Sequence, residues 1–266
     1  DYLSLKKVLN MYQDSITNDL PTRWYYMQIQ LYIADYLTME GKFLSANDIL
    51  HYLELQLDNS VFSVNNFFYI KRYKGHIFRF NFYMEKAYQE YNEVMKHPMC
   101  SSSMKAYIYT NFIESNCYFN PEYIFQNFDI ALKAVKDEKQ IKNEGKLYYS
   151  RAISNIVIHQ FVQAENDIEQ SLSLNHKDGY QSGELFAYMA KAYLEFSQTN
   201  CIAENTINVI ENLLVNNKVY EYFRLPLAIM LHDAKMFKVC KETFEWIDFN
   251  YTVECYNNFL NIIKKH

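Results

Sequence analysis

An all-α fold built from repeated helix pairs is what this sequence predicts, and three observations predict it. Half of the 266 residues are hydrophobic, enough to bury a substantial core. Only 5 Gly and 4 Pro are present, which starves an all-β fold of its turns and leaves long helices. One short pattern also returns along the chain at nearly constant spacing. The 25 Tyr and 19 Phe supply ring surface to fill the gaps between helices.

The pattern is clearest after Gly41, in Phe43, Ala46 and Leu50: an aromatic, a small residue three on, and an apolar residue four beyond that. The small residue lets a paired helix approach closely, and the larger ones fill the space above and below it. It recurs as Met84, Ala87, Tyr91, as Tyr123, Gln126, Ile130, and as Phe161, Ala164, Ile168. It returns as Ala203, Ile207 without the leading aromatic, and as Phe237, Cys240, Phe244. Successive small positions lie 41, 39, 38, 39 and 37 residues apart. Two copies share letters, Ala164-Glu165-Asn166-Asp167-Ile168 and Ala203-Glu204-Asn205-Thr206-Ile207. This is the signature of the second helix of a tetratricopeptide unit, stretched beyond the usual period of about 34 residues. One such unit cannot bury its own apolar face. Neighbours are therefore expected to stack into a right-handed superhelical solenoid with a concave groove.

In order, helices are expected over 2–17, 22–39, 43–57, 62–81, 84–97, 102–118 and 121–137, then over 140–159, 161–174, 180–198, 202–216, 219–231, 235–248 and 250–264. Asn120-Pro121 opens one of them, with Asn as the cap and Pro in the first turn. His97-Pro98 closes another. No linker or low-complexity stretch interrupts the series, so residues 1–266 read as one continuous domain. Residues 235–264 are candidate dimerisation helices, with Phe244, Trp246, Ile247, Tyr251 and Phe259 as exposed apolar positions suited to an isologous interface.

Several function classes are excluded. A net charge of −5 argues against a basic nucleic-acid surface on this chain. The five cysteines are scattered, with no CxxC pair, and fit a reducing cytoplasm better than a disulfide framework or zinc site. No apolar run reaches the length of a membrane span. There is no Walker-type Gly loop, HExxH, GxSxG or Cys–His signature, so no enzyme, catalytic residue, metal or cofactor is expected. Lys71-Arg72 with Lys74, and the lysines at 133, 136, 139, 142 and 146, are diluted by acidic neighbours and read as surface charge rather than a phosphate strip.

The first helix of each pair is expected to line the groove. On 62–81 one stripe carries Asn65, Tyr69, Arg72, His76, Arg79 and, just beyond, Tyr83. On 102–118 it carries Lys105, Tyr109, Phe112, Asn116 and Phe119. On 140–159 it offers Tyr148, Arg151 and Asn155, and on 180–198 Glu184, Tyr188, Lys191 and Glu195. Asn pairs with both the N–H and the C=O of a ligand main chain, Arg grips a carboxylate, and Tyr packs on side chains. The combination points to a groove for an extended peptide; a solvated face with interhelix hydrogen bonds is the alternative for any one residue.

Two stretches carry a family resemblance. One is Phe223-Arg224-Leu225-Pro226-Leu227; the other is Met104-Lys105-Ala106-Tyr107-Ile108-Tyr109 through Asn116, Phe119 and Asn120 into the Tyr123…Ile130 helix. Over Tyr25 to Leu227 the chain resembles the tetratricopeptide-containing, peptide-sensing regulators of low-GC Gram-positive bacteria and their phages, and among them the AimR-type arbitrium peptide receptors. The resemblance implies an N-terminal helix-turn-helix that binds DNA, a superhelical body, a C-terminal dimerisation region and a short peptide held in the groove. Peptide binding in that family weakens DNA binding or productive dimer geometry and shuts off expression that favours lysis. The family's peptide-gripping Asn matches Asn116, its neighbouring apolar contact Phe119, and an Arg contact Lys105. Two further Asn contacts fall near Arg79 and Tyr83, and acidic and aromatic contacts around Val219 and Glu221, beside Arg224; all of these differ in type. The chain also lacks one helix pair after Lys139 and carries additional residues from Trp246 to His266. DNA contact is expected from an N-terminal segment outside these residues. The expected partners are thus a signalling peptide, DNA and a second copy of the chain. A protein–protein adaptor that sequesters a partner without binding DNA is the alternative.

Overall fold

The computed structural model describes residues 20–58, 61–216 and 218–265, and among them the fold is all-α. The helix expected over 2–17 lies outside the described residues. The helices are α1 (Leu20–Met39), α2 (Phe43–Leu55), α3 (Val61–Phe80), α4 (Met84–Lys96), α5 (Ser102–Asn116) and α6 (Pro121–Asp137). They continue as α7 (Ile141–Val157), α8 (Phe161–Lys177), α9 (Gln181–Thr199), α10 (Glu204–Asn216), α11 (Arg224–Met230), α12 (Ala234–Thr243) and α13 (Phe249–Ile263). The described residues divide into two compact units, one within 20–99 with 244–247, the other within 100–243 with 248–265.

Scarcity of glycine does not prevent tight turns, because the backbone repeats one turn with different side chains. A single left-handed residue follows the helix, and the next amide donates back five positions. Tyr83 donates to Phe78 O after Phe82, Gln160 to Asn155 O after His159, and Tyr180 to Asn175 O after Gly179, at 2.8–2.9 Å. Lys42 donates to Leu37 O after Gly41 and Gln140 to Val135 O after Lys139 in the same way. This Schellman arrangement satisfies carbonyls at the helix end. Side chains cap helix starts: Ser101 Oγ accepts from Met104 N at 3.2 Å, Asn120 Oδ1 from Tyr123 N at 3.2 Å, Asp233 Oδ1 from Met236 N at 2.9 Å, and Asp248 Oδ1 from Tyr251 N at 3.1 Å.

In the first unit α1 packs on α2 and α3, and α3 packs on α2 and α4. Phe43, Ala46, Leu50, Ala87, Tyr91 and Val94 are fully buried on the second helices of the pairs, as the repeat predicts. Gly75 of α3 permits that closeness: a Cβ there would lie 2.2 Å from the Tyr91 ring. A late segment joins this unit. Glu245 N donates to Gly41 O at 3.0 Å and Phe43 N to Glu245 O at 3.1 Å. Ile247 N donates to Asn81 Oδ1 at 3.1 Å, and Trp246 lies 5.4 Å from Phe43, ring to ring. The Glu245 carboxylate accepts from Ser45 N and Ser45 Oγ, at 2.9 and 2.7 Å, near the start of α2. Burial alone would raise this carboxyl group's pKa, yet the Ser45 hydrogen bonds and the Lys42 charge leave it below the ordinary carboxylate value. The helix expected over 235–248 therefore stops at Thr243, since this segment pairs with the Gly41–Phe43 turn instead.

In the second unit α5, α7 and α9 are the first helices of pairs. Each is buried nearly all round, because α5 packs on α6 and α7, and α7 on α6, α8 and α9. The second helices α6, α8 and α10 bury one face only. Asn175 of α8 fits between Gly145 and Gly183, where added Cβ atoms would lie 2.7 and 2.2 Å from its oxygen. Two copies of the repeat are out of phase with the expectation. Gln126 is exposed and Ile130 is 55% exposed, because α6 turns Ile124, Phe128, Ala131 and Val135 inward. Ala203 is exposed too, and α10 buries Thr206, Ile210 and Leu214. The helix expected over 219–231 is broken into a 3-10 turn, Lys218–Phe223, kinked at Tyr220, and the short α11 with Pro226 in its first turn.

The last helix is built into the second unit. Fully buried Phe259 meets Tyr118 at 4.9 Å and Tyr193 at 5.0 Å, ring to ring. Ser197 Oγ donates to Ile263 O at 2.8 Å, and Lys264 Nζ lies 4.2 Å from the Phe196 ring centre. Two of the five apolar positions expected to be exposed for dimerisation are thus core residues: Trp246 is 7% exposed and Phe259 not at all. Each is covered by aromatic rings of its own unit.

Candidate functional site

The expected peptide-binding residues fall in both units and on different helix faces. In the first unit, Lys71 of α3 points at the second helices: its Nζ lies 2.7 Å from Glu54 of α2, and 3.2 and 2.8 Å from Glu90 and Glu93 of α4. Lys74 also pairs with Glu54. Both lysines are buried, so they are seam cations and not surface charge. Burial would lower the pKa of Lys71, but hydrogen bonds to Glu54 and Glu93 hold it above the usual lysine range. Burial raises Glu90 against the pull of Lys71. The stripe of Asn65, Tyr69, Arg72 and His76 is turned from this seam by about 100° per residue of offset. Arg72 lies over Tyr69 and Tyr73 at 5.0 and 4.7 Å. Arg79 is buried over Phe80 at 4.6 Å, and Tyr83 holds Lys86 at 4.7 Å.

In the second unit the corresponding stripes face the seam. Arg151 of α7 donates from Nε to Asp167 Oδ2 at 2.9 Å and from Nη2 to Asp167 Oδ1 at 2.6 Å, and lies 3.8 Å from the Phe128 ring centre of α6. Asn155 Nδ2 donates to the same Asp167 at 3.0 Å. Tyr148 packs edge-on against Phe128 at 5.6 Å. Glu184 of α9 reaches His176 of α8 at 3.2 Å, and Glu195 accepts from Ala203 N and Thr206 Oγ1 ahead of and within α10. Arg224 is clasped by Glu211 and Glu221. Asn116 donates to Phe112 O of its own helix at 2.8 Å. These polar groups join helix to helix or bond within one helix. Lys105 is exposed, Tyr109 and Tyr188 are half-buried, and Phe119 is 43% exposed with its ring 6.5 Å from Phe259.

A different row emerges on the opposite side of these first helices. On α5 it runs Tyr107, Asn111 and Glu114, and on to Tyr118 just past the helix end, at helical spacing along one face. Tyr149 of α7 donates its hydroxyl to the buried Glu114 carboxylate and stacks on Phe186 of α9 at 5.2 Å and 22°. Phe186 in turn meets Phe223 at 4.9 Å and Tyr220 at 5.7 Å. Half-buried Lys146 sits 5.7 Å from the Tyr107 ring, and exposed Lys142 sits 5.0 Å from Tyr180. The row is therefore open at Tyr107 and Lys146, and capped by α13 at Tyr118. Asn111, between these ends, is 0% exposed, and among the described residues neither its amide nitrogen nor its oxygen has a hydrogen-bond partner. In the sequence this row is signalled by its spacing, 107, 111, 114, 118, which differs from the stripe expected to bind peptide.

Among the described residues no group of three His, Cys, Asp or Glu could hold a metal ion, and no helix is long and apolar enough to cross a membrane. All five cysteines are free thiols. No protein-family model matches the chain, and no curated protein or solved structure matches it.

Proposed function

We propose that the chain is a peptide-binding scaffold, the sensor body of a cytoplasmic regulator, with its ligand at the open end of this row, on Tyr107 and Lys146, one helical turn from Asn111. Its helix pairs are taken as degenerate tetratricopeptide units of a right-handed solenoid, a reading supported by the recurring turn and the pair-on-pair packing. The observation that carries the proposal is the carboxamide of Asn111. A buried amide left without partners costs about 1–3 kcal/mol, so its presence one turn from the open Tyr107–Lys146 contact fits a group reserved for a ligand. A peptide main chain offers one donor and one acceptor per residue, and a carboxamide matches both. The resemblance to arbitrium receptors supports the wider role, in which peptide occupancy controls DNA binding in a phage lysis–lysogeny decision.

The test is calorimetric titration of the chain with short synthetic peptides encoded beside its gene. One of them is expected to bind at micromolar concentration or tighter. Asn111→Leu is expected to abolish that binding while leaving the melting temperature equal or higher, because it removes an unpaired buried amide. Asn116→Ala is expected to leave binding unchanged, since its amide is engaged within its own helix. Failure of the folded wild type to bind any peptide would turn the assignment toward a protein-sequestering adaptor. Unchanged binding by Asn111→Leu would move the site elsewhere.

A further inference from the structure

The last helix has two unlike faces. Thr252, Tyr256, Phe259, Leu260 and Ile263 are buried. The opposite face carries exposed Asn250, Glu254, Asn257, Asn258 and Asn261. Asparagine is a poor helix former, because its side chain competes for nearby backbone groups. Surface positions of a helix are ordinarily better served by Glu, Lys or Ala. Among the described residues, none of these four carboxamides makes a hydrogen bond within the chain that would account for its presence.

Three of them, Asn250, Asn257 and Asn258, border a groove. Between α12 and α13 lies a cleft of about 300 Å³, at the low end of ligand-sized pockets, which run to about 1,000 Å³. Its apolar lining is Phe237, Phe249 and Val253, with the two rings packed edge-on at 5.3 Å. Asn250, Asn257 and Asn258 form its polar wall, and Lys241 and Glu254 put one charge of each sign at its rim.

We infer that this groove binds an extended stretch of polypeptide, one apolar side chain seated on Phe237, Phe249 and Val253 and its main chain held by the carboxamides of Asn250, Asn257 and Asn258. Residues four apart on a helix are spaced by about 6 Å along the axis, close to the two-residue repeat of about 6.6 Å in an extended chain. Asn250 and Asn258, two such steps apart, can thus address main-chain groups about four residues apart, with Asn257 beside Asn258. Each carboxamide both donates and accepts, which suits an amide backbone. A rim with one cation and one anion disfavours a phosphate backbone, which needs an excess of cations. The site lies apart from the Asn111 row and stands whether or not that row binds peptide.

The probe is the blocked peptide acetyl-Ser-Leu-Phe-Ser-amide, titrated into the full chain by calorimetry beside a copy methylated at its backbone nitrogens. The unmodified peptide is expected to bind, and the methylated copy at least tenfold more weakly. The double variant Asn257→Ala, Asn258→Ala should also lose at least tenfold in affinity while its melting temperature rises, because alanine is the better helix former. Asn111→Leu should leave this binding unchanged. Equal affinity of the double variant and the wild type, no binding at all, or indifference to methylation would each overturn the inference. Concentration-dependent dimerisation of the wild type in sedimentation, lost in the double variant, would overturn it in favour of a second copy as the occupant.

Discussion

Lys71 and Arg151 are each the eleventh residue of a first helix, one in each unit, and both aim at the seam between two second helices. Lys71 gathers three carboxylates, Glu54 from the preceding helix and Glu90 and Glu93 from the following one. Arg151 meets a single carboxylate, Asp167, with two parallel hydrogen bonds, and covers Phe128 with the flat of its guanidinium. The ammonium is a compact point charge that several acids can share; the guanidinium is a planar fork that fits one acid and one ring. Each unit thus keeps a cation in a seam between helices while the partner chemistry changes. The first seam is left with excess negative charge, whereas the second is balanced and further tied by Asn155.

The largest expected effect is Lys71→Met. It leaves Glu54, Glu90 and Glu93 around an apolar side chain with only Lys74 nearby, and breaking a buried ion network from one side costs about 3 kcal/mol. Both tryptophans, Trp24 and Trp246, belong to the first unit, so tryptophan fluorescence during urea unfolding reads that unit directly. A loss below about 1 kcal/mol would place the Lys71 pairs with ordinary surface bridges. Asp167→Ala comes next, at about 2 kcal/mol, because it strands the donors of Arg151 and Asn155 in a partly open seam. It should appear as a lower urea midpoint of the chain's helical circular dichroism signal. Arg151→Lys is milder, about 1 kcal/mol, since the charge remains while one hydrogen bond and the ring contact are lost. Equal effects of the last two would show that geometry in this seam matters little.

The same contrast explains what the sequence could and could not reveal. Helices were legible because Gly and Pro are rare and because caps such as Asn120-Pro121 announce themselves locally. The repeat was legible where its three letters coincide with the buried face, as at Phe43, Ala46 and Leu50. It was misread where an apolar residue is exposed: Ile130 has the right type, but α6 buries Ile124 and Phe128, one or more residues out of phase. Phase also decided the groove stripe. Tyr148 and Arg151 were read correctly as one face of α7, but that face meets second helices, a fact that lies in Asp167 and Phe128 on other elements. Asn111 and Glu114 look like surface residues in sequence, yet both are buried, and Glu114 is met by Tyr149 from another helix. The segment at Glu245 joins Ser45 from 200 residues away, with no local signal at either end.

The smallest effect sharpens the comparison most, because it separates two of the three carboxylates of one seam by sign. Glu90 has a folded pKa above its unfolded value, so the folded state holds more protons between the two, and its contribution to stability falls as pH rises through that window. Glu54 is the reverse. Burial would raise it, but hydrogen bonds from Lys71 and Lys74 lower it, so its contribution is full above the unfolded value and is lost as pH falls toward the folded one. Between about pH 3 and pH 8, the stability of Glu90→Gln relative to wild type should therefore rise with pH, and that of Glu54→Gln should fall. Urea midpoints followed by tryptophan fluorescence measure both. Two variants moving in the same direction would mean that Lys71 neutralises its carboxylates evenly, and the unequal sharing that sets this seam apart from Arg151 and Asp167 would have to be abandoned.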